Sequence, residues 1–198
     1  VRGKRHAPGA IHRPDLDLAR DGVTSSVHIE TTRLRLRPLR EDDAEELSRI
    51  FSDPGVVQYS GGLSPTLEQV REGIRQHISE HYRDHGYGLL AAELRDTGEI
   101  VGRIGFLETE IDSTGDAELH YHLAPAAWGN GLATEAARAV LEWGFQQGRL
   151  GRVVAVIHPE NLASRRVAEK CGLTYWKEIE LQDSGRFTVY HNRAPDPK

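Results

Sequence analysis

Trp128-Gly129-Asn130-Gly131-Leu132-Ala133-Thr134-Glu135 joins the end of an apolar segment to the start of an amphipathic helix. Two glycines spaced by one residue let a backbone turn tightly and approach a ligand with no Cβ in the way, so the ligand meets bare N–H groups. A helix beginning at about Gly131 to Thr134 brings its unpaired donors and the positive end of its dipole to the same spot. The combination makes an anion site, most naturally for a diphosphate. A plain glycine turn ahead of a helix is the other reading of these residues.

Gly-rich loops of two familiar kinds do not fit. A Walker loop would end in Gly-Lys-Ser/Thr, and nothing of the kind follows Gly131. A dinucleotide fingerprint needs a third Gly or Ala where Thr134 stands, and it belongs in the first βα unit of a parallel sheet rather than two-thirds along the chain. What remains resembles the acyl-CoA loop of the GNAT superfamily of N-acetyltransferases, whose pattern Arg/Gln-x-x-Gly-x-Gly/Ala falls here on Trp128, Gly131 and Ala133. Trp128 departs from the usual Arg or Gln, and Trp-Gly-x-Gly-x-Ala-Thr-Glu-Ala is how the loop looks in the RimJ/RimL-like branch, the ribosomal-protein N-terminal acetyltransferases. The resemblance implies acetyl-CoA as acetyl donor, with Trp128, Gly129, Asn130, Gly131, Leu132, Ala133 and Thr134 as its binding stretch.

Downstream of the loop, Ala133, Ala137, Val140, Leu141 and Phe145 line one face of a helix ending at Gly148. Residues 153–157 are a short β-branched run suited to a strand buried on both faces. Asn161 caps a helix whose row Ser164, Val167, Ala168 and Cys171 has helical spacing, with Gly172 at its stop. Residues 173–181 and 186–192 read as a terminal hairpin across Asp183-Ser184-Gly185.

Upstream, residues 116–123 form a strand after the turn-like Asp112-Ser113-Thr114-Gly115, and 87–94 with 100–107 form a hairpin around a loop containing Gly98. Two helices precede these. One has Glu41-Asp42-Asp43 at its start, Ala44, Leu47, Ile50 and Phe51 inward, and Asp53-Pro54-Gly55 as its stop. The other is expected to take Ser64 as N-cap and Pro65 as first residue, to face Leu67, Val70, Ile74 and Ile78 inward, and to end near Gly86. Leu34, Leu36 and Leu39 alternate with Arg33, Arg35 and Arg37 in a half-buried strand closed by Pro38.

The order β-α-α-β-β-β-α-β-α-β-β is that of the GNAT fold from about Thr31 to Asn192. The resemblance implies an α/β (α+β) architecture: a central mixed, mostly antiparallel seven-stranded sheet with flanking helices, splayed between the strands at 116–123 and 153–157. Residues 1–28, with Arg2, Lys4, Arg5, His6 and Arg13 among few large apolar residues, read as a mobile N-terminal tail or a basic arm for an acidic partner. The resemblance implies an acetyltransferase domain over residues 29–193, with 194–198 as a C-terminal tail.

Composition narrows the setting. A chain of 198 residues with 38% hydrophobic content suits one domain with a full core, as a monomer or homodimer. A net charge of −5 argues against a general nucleic-acid binder and tolerates cationic partners such as amines or basic protein tails. The sole cysteine, Cys171, excludes an internal disulfide and a Cys-based zinc site, so a reducing, cytoplasmic setting is expected. No apolar run approaches the ~20 residues of a membrane span, and the N-terminus has no signal-like apolar region.

The strand before the loop carries Glu118, His120 and His122 on one face, toward either the cleft or solvent. An amine arrives as ammonium, and only its neutral form attacks a thioester, so a base must remove the proton. Glu118 is the first candidate, with exposed strand carboxylate as its alternative. In RimJ/RimL-like sequences this strand looks like Glu-x-Gly-Tyr, so His120 stands where Gly is usual; an imidazole there could also serve as base. His120-x-His122 could chelate zinc or iron with Glu118 or His158 as third ligand, but such His-x-His sites belong to all-β barrels, and no metal is expected. Tyr121 points the opposite way and reads as a core residue.

The leaving thiolate needs a proton. Relatives often use a Tyr where this chain has Ala168, and RimL-like enzymes use a Ser three residues after the Asn, which implies Ser164 as acid; its alternative is a hydroxyl bonded to its own helix backbone. Asn161 resembles the family's contact to the pantetheine arm, and backbone N–H groups near Leu123 would polarise the thioester carbonyl. Arg138, Arg165, Arg166 and Lys170 are candidates for the CoA 3′-phosphate, since Asn130 replaces a commonly cationic residue. The resemblance implies an amine acceptor, which the sequence does not identify: a protein N-terminus, an amino acid, a polyamine and an amine-bearing drug are the candidates. A non-catalytic acyl-CoA sensor on the same fold is the alternative function.

Overall fold

Glycines and prolines divide the chain into short strands and helices that build one mixed sheet. A computed structural model describes residues 27–112, 114–146, 148, 150–181 and 185–192. The predicted tails, apart from residues 27 and 28, and the turn centres at 113 and 183–184 lie outside the described residues. The strands are β1 (Ile29–Glu30), β2 (Leu34–Pro38), β3 (Leu89–Leu94), β4 (Ile100–Ile111), β5 (Thr114–Leu123), β6 (Val153–Ile157), β7 (Thr174–Leu181) and β8 (Gly185–His191). They line up as β1-β2-β3-β4-β5-β6-β8-β7, making eight strands where seven are expected. The additional strand is β1, two residues that pair Ile29 with Leu36 and Glu30 with Arg35, too short to leave a periodic signal.

The helices are α1 (Ala44–Phe51), α2 (Pro54–Val57), α3 (Leu67–Gln76), α4 (Tyr82–His85), α5 (Leu132–Gln146) and α6 (Leu162–Lys170). On one sheet face, Leu47, Ile50, Phe51, Val70 and Ile74 of α1 and α3 bury against Leu89 and Ala91. On the other, Ala136, Ala137, Val140 and Leu141 of α5 bury against Ile104, Phe106 and Leu119. Each large side chain so buried contributes roughly 1.5–3 kcal/mol.

Several local expectations change. Thr66, not Ser64, caps α3, because Gln69 three residues on completes a reciprocal capping box that Ser64 lacks. Asp53 ends α1 and also caps α2 by accepting from the Gly55 N–H at 2.8 Å. Phe145 is 40% exposed and Gly144 takes its place inward. Arg37 is 5% exposed rather than solvated, since Asp43 takes its guanidinium in two bonds of 2.7 and 2.8 Å and Glu93 takes Nε.

Among the described residues β5 and β6 are the one parallel pair, and they pair in register only at Ala117 with Val153 and Glu118 with Val154. Beyond Glu118 they diverge. The Ala117 N–H donates to Arg152 and the Ala124 N–H to Val101, so the two point to opposite edges of β5. Alternation along an unbulged strand then turns the N–H groups of Leu119, Tyr121 and Leu123 into the wedge between β5 and β6.

Candidate active site

The loop at 128–131 ends one wall of that wedge. Gly129 and Gly131 have φ of 75° and 77°, a region that residues with a Cβ rarely enter. The N–H groups of Leu132, Ala133 and Thr134 make no hydrogen bond among the described residues, while Glu135 N–H closes the first helical turn on Gly131 at 3.0 Å. The loop is tied down from behind. Glu135 accepts from Thr31 Oγ1 at 2.6 Å and from the Arg33 N–H and Nε at 2.8 and 2.7 Å, while Arg33 Nη1 donates to the Asn130 carbonyl at 2.8 Å. Trp128 donates its indole N–H to the Leu123 carbonyl at 2.7 Å and remains 48% exposed beside the cleft.

Two cavities fill the wedge. The first, of about 380 Å³, is lined by the glycine loop, the start of α5 and the side of α6 that carries Arg166 and Lys170. The second, of about 640 Å³, is lined by Glu118, His120, residues of β6 and the loop after α2. Gln58, Tyr59, Tyr121, Asn161 and Ser164 line both, so the cavities meet at the open edge of β5. Arg166 and Lys170 make no ion pair among the described residues, whereas Arg165 is taken by Glu169 and Arg138 bonds the Lys170 carbonyl.

At the junction, Asn161 Oδ1 accepts from the Ser164 N–H at 3.0 Å, which caps α6 and leaves the amide donors of Asn161 for the cleft. Ser164 Oγ makes no hydrogen bond among the described residues, but its carbonyl accepts from the Tyr121 hydroxyl at 3.3 Å. Tyr121 does lie on the face opposite Glu118, yet it lines both cavities instead of being enclosed in the core. Burial pushes its phenol up to about 12, so it stays protonated at neutral pH.

Glu118 sits in the second cavity with no hydrogen bond or ion pair among the described residues, and burial pushes its carboxyl up to about 7. His120 and His122 pack 4.9 Å apart on the same face; burial first, then His122 and Arg103, lower His120 to about 3, and burial followed by Arg103 lowers His122 to about 4. Both imidazoles are therefore neutral at physiological pH. Ser60 Oγ lies 3.1 Å from His122 Nε2, and Tyr59 stacks on His158 at 5.1 Å across the wedge. Among the described residues no three His, Cys, Asp or Glu side chains gather as a metal ion would need. Burial raises the Cys171 thiol, which makes it a poor nucleophile.

The alternation of β5 gave Glu118, His120 and His122 a common face, while the family resemblance, together with the cap position, singled out Asn161 and Ser164. Sequence reasoning missed Tyr59 and Ser60, which reach the wedge from a loop whose path no periodicity encodes.

Splayed strands, a glycine loop at a helix start and two joined cavities together define a fold for holding an extended ligand against an open strand edge. The chain matches the family described as acetyltransferase (GNAT) domain over residues 33–174, and it belongs to that family. It is 37% identical to the uncharacterized protein YkkB of Bacillus subtilis (strain 168) over 158 residues, 79% of this chain and 91% of that one. It is 34% identical to the uncharacterized N-acetyltransferase YoaA of the same organism over 169 residues, 84% and 90% of the two chains. A solved structure of RimL, a ribosomal L7/L12 alpha-N-protein acetyltransferase in complex with coenzyme A, shares the fold with a TM-score of 0.71 at 20% identity, across 87% of this chain and 100% of that one. Among the described residues no helix is long and apolar enough to cross a membrane.

Proposed function

We propose that the protein transfers the acetyl group of acetyl-CoA to a primary amine by direct attack. The diphosphate lies on the N–H groups of residues 129–134, with Arg166 and Lys170 beside the nucleotide and Asn161 on the pantetheine arm. The thioester lies at the junction of the cavities, its carbonyl toward the N–H groups that β5 turns into the wedge. The amine enters from the larger cavity. Glu118, ionised above about pH 7, takes its proton directly or through water. The N–C bond forms, the C–S bond breaks, Ser164 or Tyr121 protonates the departing thiolate, and the second proton shed by the nitrogen restores that hydroxyl. Neutral His120 shapes the acceptor wall instead of acting as the base.

One observation carries this reading: an unpartnered carboxylate titrating near 7 lines a cavity that opens onto the cavity of the anion-binding loop. The RimJ/RimL-like loop and strand keep a protein N-terminus among the acceptors, beside amino acids, polyamines and amine-bearing drugs. The chemistry suits a reducing compartment supplied with acetyl-CoA, such as the cytoplasm. A screen of these amines for thiol release from acetyl-CoA tests the proposal. Acceptor-dependent release with an N-acetyl product is expected, and no release with any amine despite bound acetyl-CoA would contradict it.

A further inference from the structure

Strand pairing carries the face that holds Glu118 across the rest of the sheet. Glu118 of β5 pairs with Val154 of β6, and Val156, two residues on, pairs with Val189 of β8. Period-two alternation then adds Phe187 of β8 and its partner Ile179 of β7 to the same face. The cluster buried under α1 and α3 includes no residue of β6, β7 or β8, so that core stops short of this end. Val154 and Val189 are buried there, but Val156, Ile179 and Phe187 are half-buried and Leu181 is 40% exposed. Tyr59 reaches the same end, stacked on His158 at 5.1 Å, and His158 meets Phe187 edge-on at 5.6 Å. Val156, His158, Ile179, Leu181 and Phe187 all line the second cavity together with Glu118.

The charges of that cavity are one-sided. Among the described residues lining it are two carboxylates, Glu110 and Glu118, and no Lys or Arg. Burial is the one cause that raises Glu118, so no cation in the protein offsets its charge; an arriving ammonium would. His120, two residues along the strand, is neutral. A carboxylate on the same substrate would enter next to Glu118 and lose its hydration without a Lys or Arg to receive it. A second ammonium fares no better, because the wall beyond Glu118 is apolar and Glu110 is exposed, where an ion pair contributes little. Each methylene laid on the wall instead tightens binding by about fourfold.

Building on the acetyl-transfer reading, we propose that the acceptor is a monoamine with an aliphatic or aromatic body and no carboxylate. Its nitrogen lies at Glu118, and its body lies on Val156, Ile179 and Phe187 with the Tyr59 and His158 rings at its side. The volume of about 640 Å³ suits a small molecule of this kind.

The test is calorimetric and needs no turnover. Protein saturated with CoA, which cannot donate an acetyl group, is titrated at pH 8, where Glu118 is ionised. Hexylamine should bind about tenfold or more tighter than cadaverine, which adds a second ammonium at nearly the same length, and 2-phenylethylamine about tenfold or more tighter than phenylalanine, which adds a carboxylate. Phe187→Ala should narrow the gap between hexylamine and cadaverine about threefold or more while leaving CoA affinity unchanged; if that variant fails to fold, Leu181→Ser, at a position already 40% exposed, should narrow it as well. Cadaverine or phenylalanine binding as tightly as its counterpart would overturn the proposal, as would an unaltered gap in the folded variants, or an alanine tripeptide amide, standing for a protein N-terminus, binding more tightly than both monoamines. Failure of every amine to bind would overturn it too. Monoamine-selective binding without N-acetylation of any amine in the thiol-release screen would instead count against the acetyl-transfer reading alone.

Discussion

Glu118 is where the proposed chemistry is most exposed to test. Glu118→Gln should lower turnover about 100-fold or more with acetyl-CoA affinity nearly unchanged, measured by steady-state thiol release and calorimetry. A base acts when deprotonated, so the wild-type kcat/KM should fall as pH drops through about 7. The variant should lack that inflection, and a defect of equal size at every pH would show that Glu118 only orients the acceptor. The thiolate's proton has two candidate sources at the cavity junction. Ser164→Ala and Tyr121→Phe should each be compared using acetyl-CoA and a thioester whose thiol is more acidic; the variant that lacks the true acid should slow roughly tenfold to a hundredfold with acetyl-CoA and recover part of that rate with the activated donor. Equal slowing with both donors would assign that residue to positioning. Strand alternation made Glu118 legible in the sequence, because period two needs only neighbours along one strand. Alternation also aimed Tyr121 correctly, but its access to the cavities depends on where β6 leaves β5, a long-range event.

The glycine loop owes its shape to two positive φ angles and to the Thr31, Arg33 and Glu135 ties behind it. A Cβ on Gly131 would meet only Arg33 Nη2, at 3.7 Å, so the cost of substitution is backbone strain and obstruction of the ligand rather than a clash within the protein. Gly131→Val should weaken acetyl-CoA binding by more than tenfold, about 1.4 kcal/mol, and unchanged calorimetric affinity in a folded variant would remove the diphosphate from this loop. The loop was legible because glycine spacing and a helix start are local. The ties were not, because they join residues a hundred positions apart. The same limit explains the α3 boundary, where Ser64-Pro65 carries the commoner start signal but the Thr66–Gln69 box caps the helix.

The sheet face under α1 and α3 gathers buried His77 and half-buried His120 and His122, whose desolvation lowers them to about 3, about 3 and about 4 from the ordinary 6.5. Unfolding releases them to take up protons, so their contribution to stability is present above pH 6.5 and is lost as pH falls toward 4. Glu118, raised to about 7, acts with the opposite sign between pH 4.5 and 7. His81 is lowered as well, so the histidines outweigh the one carboxyl, unfolding takes up protons, and stability falls as pH drops below about 6.5. The urea midpoint should therefore drop steeply from pH 6.5 to 5, and a flat profile would mean that these rings are charged in the folded state. At this scale the element order carried most of the fold into view; β1 and the reach of the loop after α2 needed the assembled sheet. The acetyl-transfer account as a whole stands on direct attack within the β5–β6 wedge, and rapid-quench mixing of the protein–acetyl-CoA complex with an accepted amine tests this most directly. Thiol and N-acetyl product should appear together, one for one, with no acetyl group on the protein before the amine is added. An acetylated protein formed ahead of product, on Ser164, Cys171 or any other side chain, would contradict it.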